Sequence, residues 1–321
     1  MKIFNIKKYI KDKKDRKIIE NSGLKDEENF SSERYMTAYP DVNINPILHY
    51  IQKGKEEGRY CYKPGDMGIK KEALSSSAPF ISIIVTSYNY AEYIGVALDS
   101  LLAQTYDNFE VIVVDDGSKD NSVDIIQKYV RENEKIHLFT HPKGGNRGLV
   151  ESMILGIKQA KGDYVAFCES DDYWHEENLR YKVNLINTYK NVVIASNAIK
   201  MVGDENDIRE RGWVTEHIKL LLKNGGTPVD LRYNNFNFIP TLSSVMIKTD
   251  LLRSLDFNTP VAPWIDFWLY RQILKNNMLY FCDKELTFWR QHNSFNGLQQ
   301  SSKIANQLDM FIKKSNKLIG L

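Results

Sequence analysis

The chain has 321 residues, room for one large domain or two ordinary ones, and its 42% hydrophobic and 26% charged residues exclude wholesale disorder. A net charge of +2 excludes a global field that would gather nucleic acid. The 3 cysteines (Cys61, Cys168, Cys282) are scattered, exclude a disulfide framework or zinc spacing, and suit a reducing compartment. No apolar run reaches the roughly 20 residues of a membrane span, and no signal peptide is visible, so the expectation is a cytoplasmic protein.

Residues 1–29 are lysine-rich. Ile3, Phe4, Ile6, Tyr9 and Ile10 lie among Lys2, Lys7, Lys8 and Lys11, the pattern of a short basic amphipathic helix. The first reading is a solvated tail. The second is peripheral contact with an anionic membrane, at the inner face of the plasma membrane. Residues 30–63 read as a small helical module. Ser31 or Ser32 caps one helix that Pro40 ends; Pro46 opens another, carrying Ile47, Leu48, Tyr50 and Ile51, that Gly54 closes. So small a unit buries little alone, and a second copy or a pathway partner is the expected contact. His49 reads as a packed structural residue. Residues 64–79, with Pro64, Gly65, Gly68 and Pro79, read as a linker. The main domain is placed at 80–295, with a lysine-rich helix at 296–321.

The main domain opens on the apolar run 81–85, a strand buried on both faces. A helix over about 91–103 carries Ile94, Ala97, Leu98, Leu101 and Leu102 on one side. A second apolar run, 111–114, stops at Asp115, Asp116 and Gly117, and Asp120 reads as the cap of the next helix. This alternation implies parallel strands, with ligands off their carboxyl ends. Further strands are expected at 136–140, 164–167, 192–195, 242–247 and within 279–289. Helices are expected at 149–160, 176–189 and 214–223, with a strongly amphipathic one at 264–275. Residues 200–240 are otherwise poorly patterned, and no internal repeat is present. The fold class is α/β, a mixed sheet flanked by helices with a small helical module ahead of it.

Acidic clusters stand past the strands: Asp115–Asp116, Glu169–Ser170–Asp171–Asp172 and, further on, Asp266. Two adjacent carboxylates at a sheet edge repel unless a cation or hydrogen-bond donors offset them. Mg2+ or Mn2+ would do so, since hard cations take oxygen ligands together with substrate phosphates. The glycine-rich loop 143–148 offers Lys143 and Arg147 as phosphate contacts. Sheet, cation and phosphate together describe a nucleotide-dependent transferase. Trp174, Trp264 and Trp268 flank the acids, with core packing the simpler role for Trp268. Trp213 lines an acceptor groove or anchors a loop.

Residues 81–89, 111–118 and 170–174, in this order and spacing, resemble the signatures of family 2 glycosyltransferases of GT-A fold over roughly 80–295. The Tyr-Pro-Asp-Val, His-Tyr and Gly-x-x-Glu-Gly-Arg pattern of the preceding module resembles one found beside bacterial surface-polysaccharide transferases. The resemblance implies an inverting transfer from a UDP- or dTDP-sugar to a glycan or lipid-linked glycan, with Mn2+ or Mg2+. It implies that Thr86, Tyr88 and Asn89 shape the base and ribose site and that Asp116 bonds the base imide. Asp172 is implied as the metal ligand, Asp171 as the ribose side of that motif, and His292, in Phe-Trp-Arg-Gln-His, as metal ligand or diphosphate contact. Asp266 is implied as general base. Glu169 replaces a common Asp, and Ile265 stands where an acid often precedes the base. A nucleotidyltransferase on a related sheet stays open, although Ser87–Tyr90 is not its glycine-rich phosphate loop. A non-catalytic glycan-binding or scaffold protein also stays open.

Overall fold

The run from Ile81 to Ser87 forms β1, and its pattern has no alternation because both faces are covered. Ile81, Ile83 and Val85 pack with Ile94, Leu98 and Leu101 of α3 (Ile94–Leu102), whereas Ile84 packs with Met153 and Ile157 from the opposite side. The computed structural model describes residues 13–25, 30, 45–54, 78–142, 144–189, 192–205, 239–258, 264–292 and 310–318. Ahead of the sheet these include α1 (Lys13–Ser22) and α2 (Pro46–His49), which runs into a π turn, Tyr50–Gly54. Asn45 caps α2 by accepting the Leu48 N–H, and buried Phe30 lies 5.7 Å from the Tyr50 ring. His49 is buried, as its apolar neighbours imply. The expected helices at 3–11, 31–40 and 214–223, most of the linker, Trp213 and Lys143 lie outside the described residues.

β1 pairs in parallel with β2 (Phe109–Asp115) and with β4 (Tyr164–Phe167), and β2 pairs in parallel with β3 (Ile136–Thr140). The crossovers are α3, α4 (Ser122–Glu132) and α5 (Leu149–Gln159). Beyond β4 the sheet reverses twice. β7 (Val245–Lys248) is antiparallel to β4, and β6 (Ile194–Gly203) is antiparallel to β7. β8 (Tyr280–Gln291) then runs parallel to β6, and β5 (Tyr173–Trp174) closes the edge against β8. The order is β3-β2-β1-β4-β7-β6-β8-β5. Two reversals restore direction, so β8 delivers its carboxyl end to the edge where β1, β2 and β4 also end.

Several expectations need correction. The strand expected at 242–247 begins with a 3-10 turn, Leu242–Ser244, which the Thr241 hydroxyl caps by accepting the Ser243 N–H at 3.2 Å. The strand expected at 192–195 is the ten-residue β6, because long β8 offers it a partner along its length. β5 was not expected; it pairs because β8 extends past α6 (Asn178–Thr188) into the acidic loop. After α7 (Thr249–Arg253) comes α8 (Ile265–Leu274), expected to be amphipathic. It is instead buried nearly all round. Residues 310–318 form a helix whose Phe311 packs 5.2 Å from Phe267 and 6.4 Å from Trp264, covering a face that a surface helix would show to water.

Candidate active site

The loops after β1 and β2 clasp each other. Asn89 holds a left-handed backbone (φ 56°), a conformation that asparagine tolerates better than most residues. Its N–H donates to Ser118 Oγ (2.9 Å), and its Oδ1 accepts the Lys119 N–H (2.8 Å). Asp115 accepts the N–H groups of Gly117 and Ser118 and the Ser118 hydroxyl. Asp120 accepts the N–H groups of Ala91 and Ser122, both at 3.0 Å. Burial alone would raise the Asp120 carboxyl, but these hydrogen bonds outweigh it and hold the group below its ordinary range. Asp120 thus ties two loops together besides serving the start of α4. A cleft of about 530 Å3 opens here, lined by Tyr88, Asn89, Tyr90, Ala91, Glu92, Tyr93 and Asp120, with Thr86 half-buried at the adjacent strand end.

Asp116 carries a duty that sequence reasoning missed. Its Oδ1 accepts the Arg147 N–H (2.6 Å) and its Oδ2 the Gly148 N–H (2.8 Å), while His141 Nε2 lies 3.3 Å from Oδ1. Asp116 therefore pins the glycine-rich loop to the end of β2; Oδ1 faces both the Arg147 N–H and His141, while Oδ2 keeps a second lone pair for a further donor. Gly144, Gly145 and Gly148 all have positive φ. Gly117 shows why glycine is needed: a Cβ there would stand 2.8 Å from the Gly145 carbonyl carbon. The Arg147 side chain is exposed.

The acidic motif follows β4. Asp172 is 1% exposed, its Oδ1 accepting the Arg290 N–H at 2.9 Å. The Arg290 Nε–H donates to the Asp171 carbonyl (2.8 Å), and its guanidinium lies over the rings of Tyr93 (4.9 Å) and Tyr173 (5.4 Å). His292 Nε2 is 2.9 Å from Asp171 Oδ2, and its ring stacks on Tyr93 at 5.1 Å. His292 Nδ1 is buried with no hydrogen-bond partner among the described residues. Glu169 is held elsewhere: its Oε2 accepts the Thr241 hydroxyl at 2.8 Å, so the longer arm that replaces aspartate reaches across to the 3-10 turn. Burial, then Asp171, pushes the Glu169 carboxyl up to about 8, against the Thr241 bond and with Asp266 adding to the rise. Burial and the charges of Asp171 and Glu169 push Asp172 well above the usual carboxylate range. The same acids, after burial, raise the Tyr90 phenol.

Asp266 stands in the first turn of α8, near enough to raise both Glu169 and the buried Tyr270 phenol through its charge. Thr86, Tyr88, Asn89, Asp116, Asp171, Asp172 and His292 therefore share one sheet edge, with Asp266 reaching the acidic group from α8. Trp174 and Trp268 are buried in the core, which leaves neither ring open for stacking on a sugar, and Trp174 Nε1 donates to the Ser243 carbonyl at 2.8 Å.

The acidic motif fits a hard divalent cation. Glu169 adds to the rise in the proton affinity of buried Asp172, Asp171 raises both, and among the described residues neither Glu169 nor Asp172 forms an ion pair with a lysine or arginine. Among those residues no three of His, Cys, Asp and Glu converge as a closed metal cage. A hard cation that binds with substrate phosphates is commonly held by one or two carboxylates, with substrate oxygens and waters completing its shell. Asp171, with 16% side-chain exposure, is the more open of the adjacent pair, and Asp172 the more enclosed.

The profile described as glycosyl transferase family 2 matches residues 82–260. An uncharacterised glycosyltransferase of Rickettsia felis is 30% identical over 74% of this chain, and the match spans 38% of that protein's length. The crystal structure of Staphylococcus aureus TarS 1–349 with UDP is 22% identical, at a TM-score of 0.53 over 74% of this chain and 72% of that one. The mannosyltransferase PcManGT of Pyrobaculum calidifontis, in complex with GDP-Man and Mn2+, is 16% identical, at a TM-score of 0.54 over 89% of this chain and 74% of that one. The mixed curled sheet with flanking helices is thus the GT-A arrangement, and the chain belongs to glycosyl transferase family 2.

Proposed function

We propose that the chain transfers a sugar, with inversion, from a UDP- or dTDP-sugar to a hydroxyl of a bacterial surface glycan or its lipid-linked precursor. The observation that carries this reading is the gathering of Asp116, Asp171, Asp172 and His292 at one sheet edge, with Asp266 reaching the same acids. Structural neighbours bound to UDP and to GDP-Man with Mn2+ support a nucleotide-sugar donor and a divalent cation. Thr86, Tyr88 and Asn89 form the base and ribose wall, and Asp116 uses the spare lone pair of Oδ2 on the base imide. Lys143 and Arg147 contact the diphosphate. Mn2+ or Mg2+, when bound, neutralises charge on the leaving diphosphate as a Lewis acid.

Asp171 and His292 face that charge, while Asp172 is braced behind them; this reverses the sequence-based order of the two aspartates, because Asp172 is the more enclosed. Asp266 takes the proton of the acceptor hydroxyl as it attacks the anomeric carbon. The domain division at about residue 80, the partner role of the N-terminal module and peripheral membrane contact through the basic N-terminus belong to the same reading. Asp266→Asn tests it. Transfer should fall by about 10²–10⁴-fold, the usual worth of a positioned base, with UDP affinity preserved. Full transfer by the variant would remove Asp266 from the role.

A further inference from the structure

We propose that Thr241 is a positioning residue whose single hydroxyl proton fixes the acidic motif from below, an inference that rests on the reading of that motif as a cation site. Thr241 is 3% exposed and sits at the entrance to the 3-10 turn Leu242–Ser244. Its Oγ1 lies 2.8 Å from Glu169 Oε2 and 3.4 Å from Asp172 Oδ2. The same oxygen accepts the Ser243 N–H at 3.2 Å, which leaves the proton to point at the carboxylates.

The turn that carries Thr241 is fastened on several sides. Ser243 Oγ accepts the Glu169 N–H (2.9 Å), and the Ser243 side chain also bonds Asp172. The Ser243 carbonyl accepts Trp174 Nε1 (2.8 Å) and the Thr287 hydroxyl (3.2 Å), and Ser244 Oγ donates to the Thr241 carbonyl (2.9 Å). Buried Asp172 and half-buried Glu169 are therefore held by one hydrogen-bonded bracket. Asp171 is joined covalently to one of them and lies two residues from the other. Thr241 acts through Glu169 and Asp172 on where Asp171 presents its oxygens, the way outer groups orient the ligands of a metal.

The test compares Thr241→Val, Thr241→Ser and Asp171→Asn with the parent, measuring Mn2+ affinity by electron paramagnetic resonance at saturating UDP and melting temperature in parallel. Thr241→Val should weaken Mn2+ by about 10–100-fold, the usual loss when an outer partner is removed. Thr241→Ser, which restores the hydroxyl, should stay within about threefold of the parent, well inside that loss. A lower melting temperature for Thr241→Val with unchanged Mn2+ affinity would overturn the proposal and leave Thr241 as the cap of its turn. Equal weakening in the serine and valine variants would overturn it as well. Asp171→Asn separates the two levels: if Mn2+ affinity survives in that variant, the cation-site reading fails, and the Thr241 proposal with it. If it is lost there while Thr241→Val binds like the parent, only the Thr241 proposal fails.

Discussion

Lys182 is fully buried on α6, its ammonium donating to Asn178 Oδ1 at 2.7 Å and lying 4.8 Å from the Trp174 ring centre. Burial pulls its pKa down to about 7, only partly countered by the nearby Cys168 and Cys282. The unfolded chain keeps this proton up to about pH 10.4. Between those values the unfolded state binds more protons, so parent stability from this group rises with pH. Lys182→Met removes that dependence. Its stability relative to the parent should be greatest at pH 7 and below and should fall toward pH 10, by at most about 1.4 kcal/mol per pH unit. Urea unfolding of both proteins across that range checks it; a constant difference would mean that Lys182 titrates normally. At this scale the sequence was informative where chemistry is concentrated. Asp116, Asp171 and Asp172 declare themselves as acids beside strand ends, and Asp266 stands in the first turn of α8. Thr241 does not: a lone threonine after a poorly patterned stretch carries no signal, and its role depends on Glu169, 72 residues away in sequence.

Helix α5 shows how closely an element is fitted. Gly156 faces β1, and a Cβ at that position would stand 2.7 Å from Ile84 Cγ2, a branched side chain with no room to move in the core. Gly156→Ala gains about 1 kcal/mol of helix propensity but meets an overpacking cost of roughly 1–3 kcal/mol. The expected outcome is a net loss of stability, read as a lower urea midpoint with unchanged slope. A stabilised variant would show that α5 can retreat from the sheet. The spacing of apolar residues located α3 to within a few positions, the acidic cap at Asp120 announced α4, and α5 lies where a helix was expected at 149–160. The same spacing misjudged α8, whose Trp268 and Tyr270 look like the edges of an amphipathic stripe. The helix that covers α8 arrives with Phe311, and no local pattern reports a partner so distant in sequence.

For the whole molecule, the half formed by β3, β2, β1 and β4 was legible because each crossover is short and β1 and β2 are built on plain apolar runs. The second half was not. Its pairings join Ala166 to Met246 and Ala195 to Tyr280, contacts that only the closed sheet establishes. That half is what brings Arg290 and His292 back to the acidic motif, and the site is complete only when the two halves meet. The most direct test is calorimetric titration of UDP and dTDP into the parent and into Asp171→Asn, each with Mn2+ and with EDTA. Binding by the parent with Mn2+, at least about tenfold weaker in EDTA and in the variant, as the loss of a metal contact predicts, would support the account. Equal affinity under all four conditions would contradict it, placing the nucleotide away from the acids or the cation outside the site.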